Sequence, residues 1–388
     1  MKHIRSKDNF LVFGAPLIEQ DEINEVIACL KSGWIGTGRR VRDFEIAFSK
    51  YKNVENAVAV NSCTAALHLS LLVANIGAGD EVITTPLTFC ATINAILHAG
   101  AKPVLADIDK KTMNIDPNEI EKKITNKTKA ILPVHFAGRP CDMDAISWIA
   151  QKHNLLIIED CAHAIEAEYK NQKIGTFGNF SCFSFYATKN IVTGEGGMVL
   201  AKSKEDLDRI KIYALHGMSK DAWSRYGDKG YKHYKVIECG YKYNMMDLQA
   251  AIGIHQIKKI NKYWNKRKHI WNRYNNELKE LPIELPYDTT KYERHAYHLY
   301  TILVKNEFAG INRDEFINHM TDNGIGIGVH YLSIPEHPYY QKKMGWKASD
   351  YPNALNIGRS TVSLPLSAKL TDDDVADVVV AVKAALNT

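Results

Sequence analysis

Between about residues 55 and 200 the chain alternates short β-rich runs with helical stretches, and this alternation restricts the possible folds more than any other feature. Ala57-Val58-Ala59-Val60 leads into a helix from Thr64, and Val82-Ile83-Thr84 into one from about Thr92. Lys102 to Ala106 and Ala130 to Val134 read as further strands, and a helix over Asp142 to His153 precedes Leu155 to Ile158. Phe180 to Phe185 and Met198 to Ala201 complete the set. A chain that returns through a helix re-enters its sheet in the same direction, so such strands pair in parallel and helices cover both faces. The pattern predicts an α/β protein with a mostly parallel sheet, its ligands held outside the carboxyl ends of the strands.

A chain of 388 residues exceeds the size at which single cores stop growing, so two domains are expected. Ahead of the sheet, Ile23, Val26, Ile27 and Leu30 recur at helical spacing, and the three glycines of Gly33-Trp34-Ile35-Gly36-Thr37-Gly38 make a loop. Past Gly240 one long helix is predicted from near Met246 to about Leu278, ending before Leu281-Pro282 and Leu285-Pro286. The boundary falls along it, giving a large domain over 1–255 and a small one over 256–388. The small domain reads as α+β: strand-like Tyr297 to Val304, a helix near Arg313 to Asp322, the run Ile327 to Tyr331, and a helix from about Thr371.

The 49 basic and 44 acidic residues nearly balance, at +5, which suits an anionic small substrate. The basic cluster from Lys258-Lys259 to Lys266-Arg267-Lys268 is broken by Ile260, Tyr263 and Trp264, so it reads as a solvated helix face and not a nucleic-acid stripe. Cys29, Cys63, Cys90, Cys141, Cys161, Cys182 and Cys239 include no close pair and have mostly apolar neighbours. Reduced, buried thiols in a cytoplasmic protein are expected, with no disulfide framework and no metal site. Lys2, His3, Arg5 and Lys7 precede an apolar stretch, but Gly14 and Pro16 interrupt it and Glu19, Asp21 and Glu22 follow, so it reads as mature structure and not a signal peptide. No run approaches membrane-spanning length, and a soluble protein is expected.

The chemistry gathers at two strand ends. Ile158-Glu159-Asp160-Cys161-Ala162-His163 and Ser184-Phe185-Tyr186-Ala187-Thr188-Lys189-Asn190 each close an apolar run, and Gly194-Glu195-Gly196-Gly197 follows. An acid and a lysine at one sheet edge suit pyridoxal 5'-phosphate, whose aldehyde takes a lysine amine and whose pyridinium nitrogen takes a carboxylate. Taken singly, such an acid often caps a helix and such a lysine is often solvated; the ordered set carries the reading. Ser62-Cys63-Thr64-Ala65 starts a helix after a strand, where free N–H groups and the helix dipole favour a phosphate, although a plain cap has the same look. Ser184 lies within reach of the same phosphate. Phe89 stands at another strand end, where a flat ring either stacks on the pyridine or joins the core.

These residues resemble the DegT/DnrJ/EryC1/StrS family of sugar aminotransferases, pyridoxal phosphate enzymes of the aspartate-aminotransferase fold. The similarity runs through Gly33 to Gly38, Ser62 to His68, Glu81 to Asn94, Glu159 to His163, Ser184 to Gly197, Gly240 to Ala251 and Ser363-Leu364-Pro365-Leu366. The resemblance implies fold type I, a large domain with a mostly parallel seven-stranded sheet and a smaller carboxyl-terminal α+β domain. It implies Lys189 as the residue that binds the cofactor covalently and moves protons, and Asp160 as partner of the pyridine nitrogen. Phe89 would stack, and Ser62, Thr64, Ala65 and Ser184 would hold the phosphate. Asn244 would reach in from a neighbouring subunit, which implies a homodimer with shared active sites. His163 stands where the family often has glutamine facing the phenolic oxygen, and Cys63 where glycine is common.

The reaction implied moves an amino group from glutamate, released as 2-oxoglutarate, to a keto sugar linked to a nucleoside diphosphate. Gly240-Tyr241-Lys242-Tyr243-Asn244-Met245-Met246-Asp247-Leu248-Gln249-Ala250-Ala251, His216-Gly217 with Asp221 to Arg225, and Gly326-Ile327-Gly328-Val329-His330-Tyr331 are similar to the branch making UDP-4-amino-4-deoxy-arabinose or 4-amino-4,6-dideoxy sugars. Amination at C4 of a 4-keto-6-deoxy sugar, for a cell-surface polysaccharide or lipopolysaccharide precursor, ranks first. A 3-keto sugar or a UDP-4-keto-pentose is the alternative. Thr37, Tyr186, Arg225, His330 and Tyr331 are candidates for the sugar-diphosphate side, each with an ordinary surface or strand-end role as its rival. Related sugar dehydratases put histidine where Lys189 stands, which counts against that chemistry, and a non-catalytic scaffold would not need Asp160, Ser184 and Lys189 together.

Overall fold

The computed structural model describes residues 4–219 and 233–387. Strands β1 (Val58–Val60), β2 (Glu81–Thr84), β3 (Lys102–Leu105), β4 (Thr128–Ile131) and β5 (Leu156–Asp160) precede the short β6 (Glu168–Tyr169) and β7 (Gln172–Lys173), then β8 (Phe180–Ser184) and β9 (Gly197–Ala201). Seven of them form one sheet in the order β1-β9-β8-β5-β4-β2-β3. β9 runs against both neighbours and every other pairing is parallel. The reversal has a simple cause: residues 185–196 join β8 to β9 through a loop without a helix, so the chain doubles back.

Successive strand side chains point to opposite faces, and the apolar residues divide accordingly. Ala59, Ile83, Ile131, Ile157, Phe183 and Leu200 enter one cluster, while Val60, Val82, Ala130, Ile158, Cys182 and Val199 enter another. The strands read as unbroken apolar runs because neither face meets water. Helices α1 (Gln20–Lys31), α2 (Arg39–Lys52), α3 (Cys63–Val73), α4 (Cys90–His98), α5 (Pro117–Lys122), α6 (Met143–His153) and α7 (Lys204–Ala214) precede α8 (Asp247–Lys258) and α9 (Ile260–Leu278). α2, α6 and α8 cover the first face with Phe44, Phe48, Met143, Ile146 and Ile257, and α3, α4 and α7 cover the second with Leu67, Leu71, Ile96 and Ile210. Each such side chain, fully buried, contributes roughly 2 kcal/mol of transfer free energy.

Strand ends depart slightly from the sequence expectation. β4 stops at Ile131 because Pro133 has no N–H for the ladder, leaving Val134 only an isolated bridge to Asp160. β5 continues to Asp160, so Glu159 and Asp160 are strand residues on opposite faces. Ile327 to Tyr331 makes no strand, only a bridge from Gly328 to Ser363.

The expected single helix over Met246 to Leu278 is two. At Lys259, with φ −97° and ψ 1°, the N–H bonds the Gln256 carbonyl, three residues back, and the ammonium ion-pairs with Glu19, Asp21 and Glu22. The basic cluster is therefore not simply a solvated face, since Arg267 is 2% exposed and ion-paired to buried Glu166. Of the cysteines expected to be buried, Cys29, Cys141, Cys161 and Cys182 are, whereas Cys63 and Cys90 are half-buried and Cys239 is exposed.

β10 (Glu293–Arg294) pairs with β6, and β11 (Tyr300–Leu303) pairs antiparallel with β12 (Thr361–Leu364). A further cluster joins Ile270, Trp271 and Tyr274 of α9 to Tyr300, Phe316, Val362 and Val378. Residues 4–11 pack onto this cluster: Leu11 enters it and bonds Gly324 and Gly326, while Arg5 pairs with Asp374 and Asp377. Among the described residues no helix is long and apolar enough to cross a membrane.

Candidate active site

β5 ends at Asp160 and its parallel neighbour β8 at Ser184, so an acid and a hydroxyl reach the same sheet edge. α3 starts there, with Ser62 as its cap and Ser62 Oγ accepting the Ala65 N–H at 3.1 Å. The first turn of a helix leaves other N–H groups unpaired and carries positive partial charge, which suits an anion. Gly197 opens β9 opposite both Val60 and Ser184. A Cβ on it would lie 2.5 Å from the carbonyl carbon and oxygen of Ser62 and 2.8 Å from Cys63 N, so only glycine lets β9 meet the start of α3. Gly194, at φ +82°, turns the loop between β8 and β9.

These ends enclose a cavity of about 540 Å³, within the range of small-ligand sites. Ser62, Thr64, Phe89, Asp160, His163, Ser184, Tyr186, Lys189, His330 and Tyr331 line it, which brings together ten residues named from the sequence. Ala65 does not line it, and its N–H is engaged by Ser62. Thr37 and Asn244 lie outside the wall and bond each other, Asn244 Nδ2 donating to Thr37 Oγ1 at 2.6 Å. Arg225 falls outside the described residues.

Asp160 is 4% exposed. Its Oδ1 accepts the Ala162 N–H at 3.1 Å and its Oδ2 accepts the Thr92 hydroxyl at 2.9 Å. Burial pushes the carboxyl above its ordinary range, while those two donors, Lys189 and His135 act in the opposite sense. Burial lowers Lys189 to about 8, with Cys63 and Asp160 opposing. A desolvated amine with a pKa near neutrality is what a nucleophilic lysine requires.

His163 is neutral, because burial and the nearby Lys189, His298 and His330 hold it well below the usual histidine range. Its Nδ1 accepts the Ala137 N–H at 3.2 Å, which puts the ring proton on Nε2, 3.1 Å from Tyr331 Oη. His298 packs against it at a tilt of 40°, with ring centroids 4.5 Å apart, and meets Asn190 Oδ1 at 2.9 Å. Asn190 donates to Glu166, the partner of Arg267, so a buried polar chain runs from α9 to the residue after Lys189. His330 is held by Ser363 at 2.8 Å and abuts the Phe13 ring.

Thr92 is the contact that sequence reasoning missed. Its signal was the i, i+4 spacing of Thr88 and Thr92 across a helix start, which turns both hydroxyls to one side. Behind the sheet, His135, Glu159 and Cys161 also converge. The Glu159 carboxylate already accepts from Gly175, Phe177, Gly178, Ser181 and His135, which leaves it no lone pair for an ion.

The residues fit pyridoxal phosphate: an anion-favouring helix start with hydroxyls beside it, a buried carboxylate, and an amine of lowered pKa around one cavity of suitable size. The fold is that of the fold type I pyridoxal phosphate aminotransferases. Residues 16–383 match the model of the DegT/DnrJ/EryC1/StrS aminotransferase family, and the chain belongs to that family, whose cofactor is pyridoxal 5'-phosphate. It is 48% identical over 381 residues to SpsC, a spore coat polysaccharide biosynthesis protein of Bacillus subtilis, covering 98% of each chain. Among solved structures it is similar to Helicobacter pylori PseC, an aminotransferase involved in the biosynthesis of pseudoaminic acid. That match has TM-score 0.90 and 30% identity, and covers 98% of this chain and 100% of PseC. The PLP-form of Spr1654 from Streptococcus pneumoniae matches with TM-score 0.90 and 32% identity, over 97% and 99% of the two chains.

Proposed function

We propose that this chain moves an amino group from glutamate to C4 of a nucleotide-linked 4-keto sugar, of the 4-keto-6-deoxy class, in making a cell-surface glycan precursor. The observation that carries the reading is the single cavity shared by Lys189, Asp160, Ser62 and Ser184 at the start of α3. Similarity to SpsC and PseC, named for polysaccharide and pseudoaminic acid biosynthesis, supports the glycan direction. The choice of C4 rests on the motifs at Gly240 to Ala251 and Gly326 to Tyr331.

When bound, pyridoxal phosphate supplies an aldehyde carbon for the travelling amino group and a protonated ring that draws electrons from the carbon losing its proton. Lys189 would hold the cofactor through Nζ; once glutamate's amine has taken its place there, the freed Nζ, with a pKa of about 8 and so partly free amine at neutral pH, would take a proton from glutamate's α-carbon and later return one to the sugar carbon. Asp160 would keep the ring nitrogen protonated. Ser62, Thr64, Ser184 and the N–H groups opening α3 would hold the phosphate, and Phe89 would stack on the ring. His163 would offer its Nε2–H, which faces Tyr331 Oη, to the phenolic oxygen in the place of a glutamine amide. Tyr186, His330 and Tyr331 face the sugar diphosphate.

The working unit in this proposal is a homodimer. Asn244 and Thr37 stand outside their own chain's cavity wall, and α1 with the loop after it exposes Ile23, Ile27, Leu30, Trp34 and Ile35, an apolar surface that a second copy covers. A light-scattering mass of one chain under turnover conditions refutes this. The reaction is tested by incubating the cofactor-loaded protein with glutamate and UDP-, GDP- and dTDP-linked 4-keto sugars, following 2-oxoglutarate and the aminated product by mass. Product from one carrier supports the proposal and names the nucleotide, while product from 3-keto sugars alone refutes C4.

A further inference from the structure

Thr88 Oγ1 lies 2.8 Å from Thr92 Oγ1, and Thr92 Oγ1 lies 2.9 Å from Asp160 Oδ2, all three residues being buried. An ionised carboxylate only accepts, so the Thr92 proton points to Asp160 and the Thr92 oxygen is left to accept from Thr88. The order of donation is thereby set: Thr88 to Thr92 to Asp160. Thr92 occupies the third position of α4, where a hydroxyl serves the helix only weakly, and the capping residue Phe89 offers no side-chain acceptor. With Ala162 N–H on Oδ1, the carboxylate is gripped at both oxygens.

We propose that Thr88 and Thr92 are positioning residues: their hydroxyl relay keeps Asp160 ionised and aimed at the pyridine nitrogen, and so sets how tightly, and down to what pH, the chain retains pyridoxal phosphate. This rests on the reading of Asp160 as that nitrogen's partner. The physical need is plain, since burial favours the neutral acid, and a neutral acid no longer holds the ring proton. Hydrogen bonds to an ionised acceptor are about twice as strong as neutral ones, and a second hydroxyl behind the first strengthens it by polarisation. The titratable groups facing Asp160 are Lys189 and His135, the thiols of Cys63, Cys141, Cys161 and Cys182, and the Tyr331 phenol. Of these only Lys189 brings a cation from the cavity side.

The test measures the dissociation constant of pyridoxal phosphate from the full-length apoprotein by fluorescence quenching between pH 5 and 8, with circular dichroism to check folding. Thr92→Val should weaken retention about tenfold at pH 7 and move the acid midpoint of retention up by about one pH unit, the shift matching a tenfold preference between the two protonation states. Thr92→Ser should restore both. Wild-type retention in Thr92→Val overturns the relay, as does a Thr92→Ser that fails like Thr92→Val, since packing of the methyl group would then be the cause. Asp160→Ala separates the two levels of the argument. If it retains the cofactor normally, the reading of Asp160 falls and the relay with it; if it loses the cofactor while Thr92→Val does not, the relay alone falls. Should Thr92→Val not fold, Thr88→Val, which leaves the Thr92 contact to Asp160 in place, should weaken retention about threefold, as a neutral hydrogen bond allows, and no loss in it overturns the relay.

Discussion

Gly197→Ala is the smallest change that reaches the phosphate end of the site without touching a group that does chemistry. The added Cβ would sit 2.5 Å from the Ser62 carbonyl carbon and oxygen and 2.8 Å from Cys63 N, all of them backbone atoms. Ordinary contact requires nearly an ångström more. β9 cannot supply it, because Gly197 is paired with Val60 on one side and Ser184 on the other within the central sheet. The start of α3 must therefore give way. Overpacking of this kind costs about 1–3 kcal/mol of stability. Misplacing a binding group by an ångström can cost a further ~100-fold in function. We expect the variant to melt a few degrees lower and to hold pyridoxal phosphate at least tenfold more weakly, about 1.4 kcal/mol, with the visible band of the lysine-bound cofactor returning at saturating concentration because Lys189 and Asp160 are untouched. Equilibrium dialysis and thermal denaturation measure both quantities. Wild-type cofactor affinity would refute the placement of the phosphate between β9 and α3.

Lys189→Ala should lose the visible band and lower turnover by roughly two to four powers of ten, the usual worth of a positioned acid–base group. In the wild-type apoprotein only the free amine attacks an aldehyde, so the rate of cofactor capture should rise with pH and level off above about 8, and a flat profile from pH 6 to 9.5 would contradict the lowered pKa. Asn244→Ala should weaken retention of the cofactor yet leave Lys189 able to bind it at saturation; unchanged affinity would argue against a role across the subunit boundary. Arg267→Met leaves Glu166 buried with, among the described residues, Asn190 alone as its hydrogen-bond partner, and breaking such a pair costs about 3–5 kcal/mol, to be read from denaturant unfolding, while the double variant with Glu166→Leu should recover most of it.

The sheet and the cavity were legible because both are written in local pattern. An apolar run that stops at Asp160 or Ser184 marks a strand end, and parallel strands deliver their ends to one edge. Ser62 is visible as the polar residue between a strand and a helix for the same reason. The rest depends on pairings that local pattern does not carry. Lys259 breaks the long helix through its approach to three acids more than two hundred residues away, and Arg267 is buried because Glu166 awaits it. Thr92 reads as an ordinary helix residue until Asp160 is placed beside it. His163 reads as an odd substitution until the Ala137 N–H fixes which nitrogen bears the proton.

The packing of residues 4–11 against Gly324, Gly326, Asp374 and Asp377 has a consequence for the order of assembly. These contacts join residues as many as 372 positions apart in the sequence. Phe13 abuts His330, and Gly14 lies against Thr188 beside Lys189, so the segment that follows residues 4–11 helps to close one side of the cavity. Contacts of such sequence separation form slowly. The last wall of the pocket thus depends on contacts that the chain is slowest to make, and not on the sheet that carries Asp160 and Ser184.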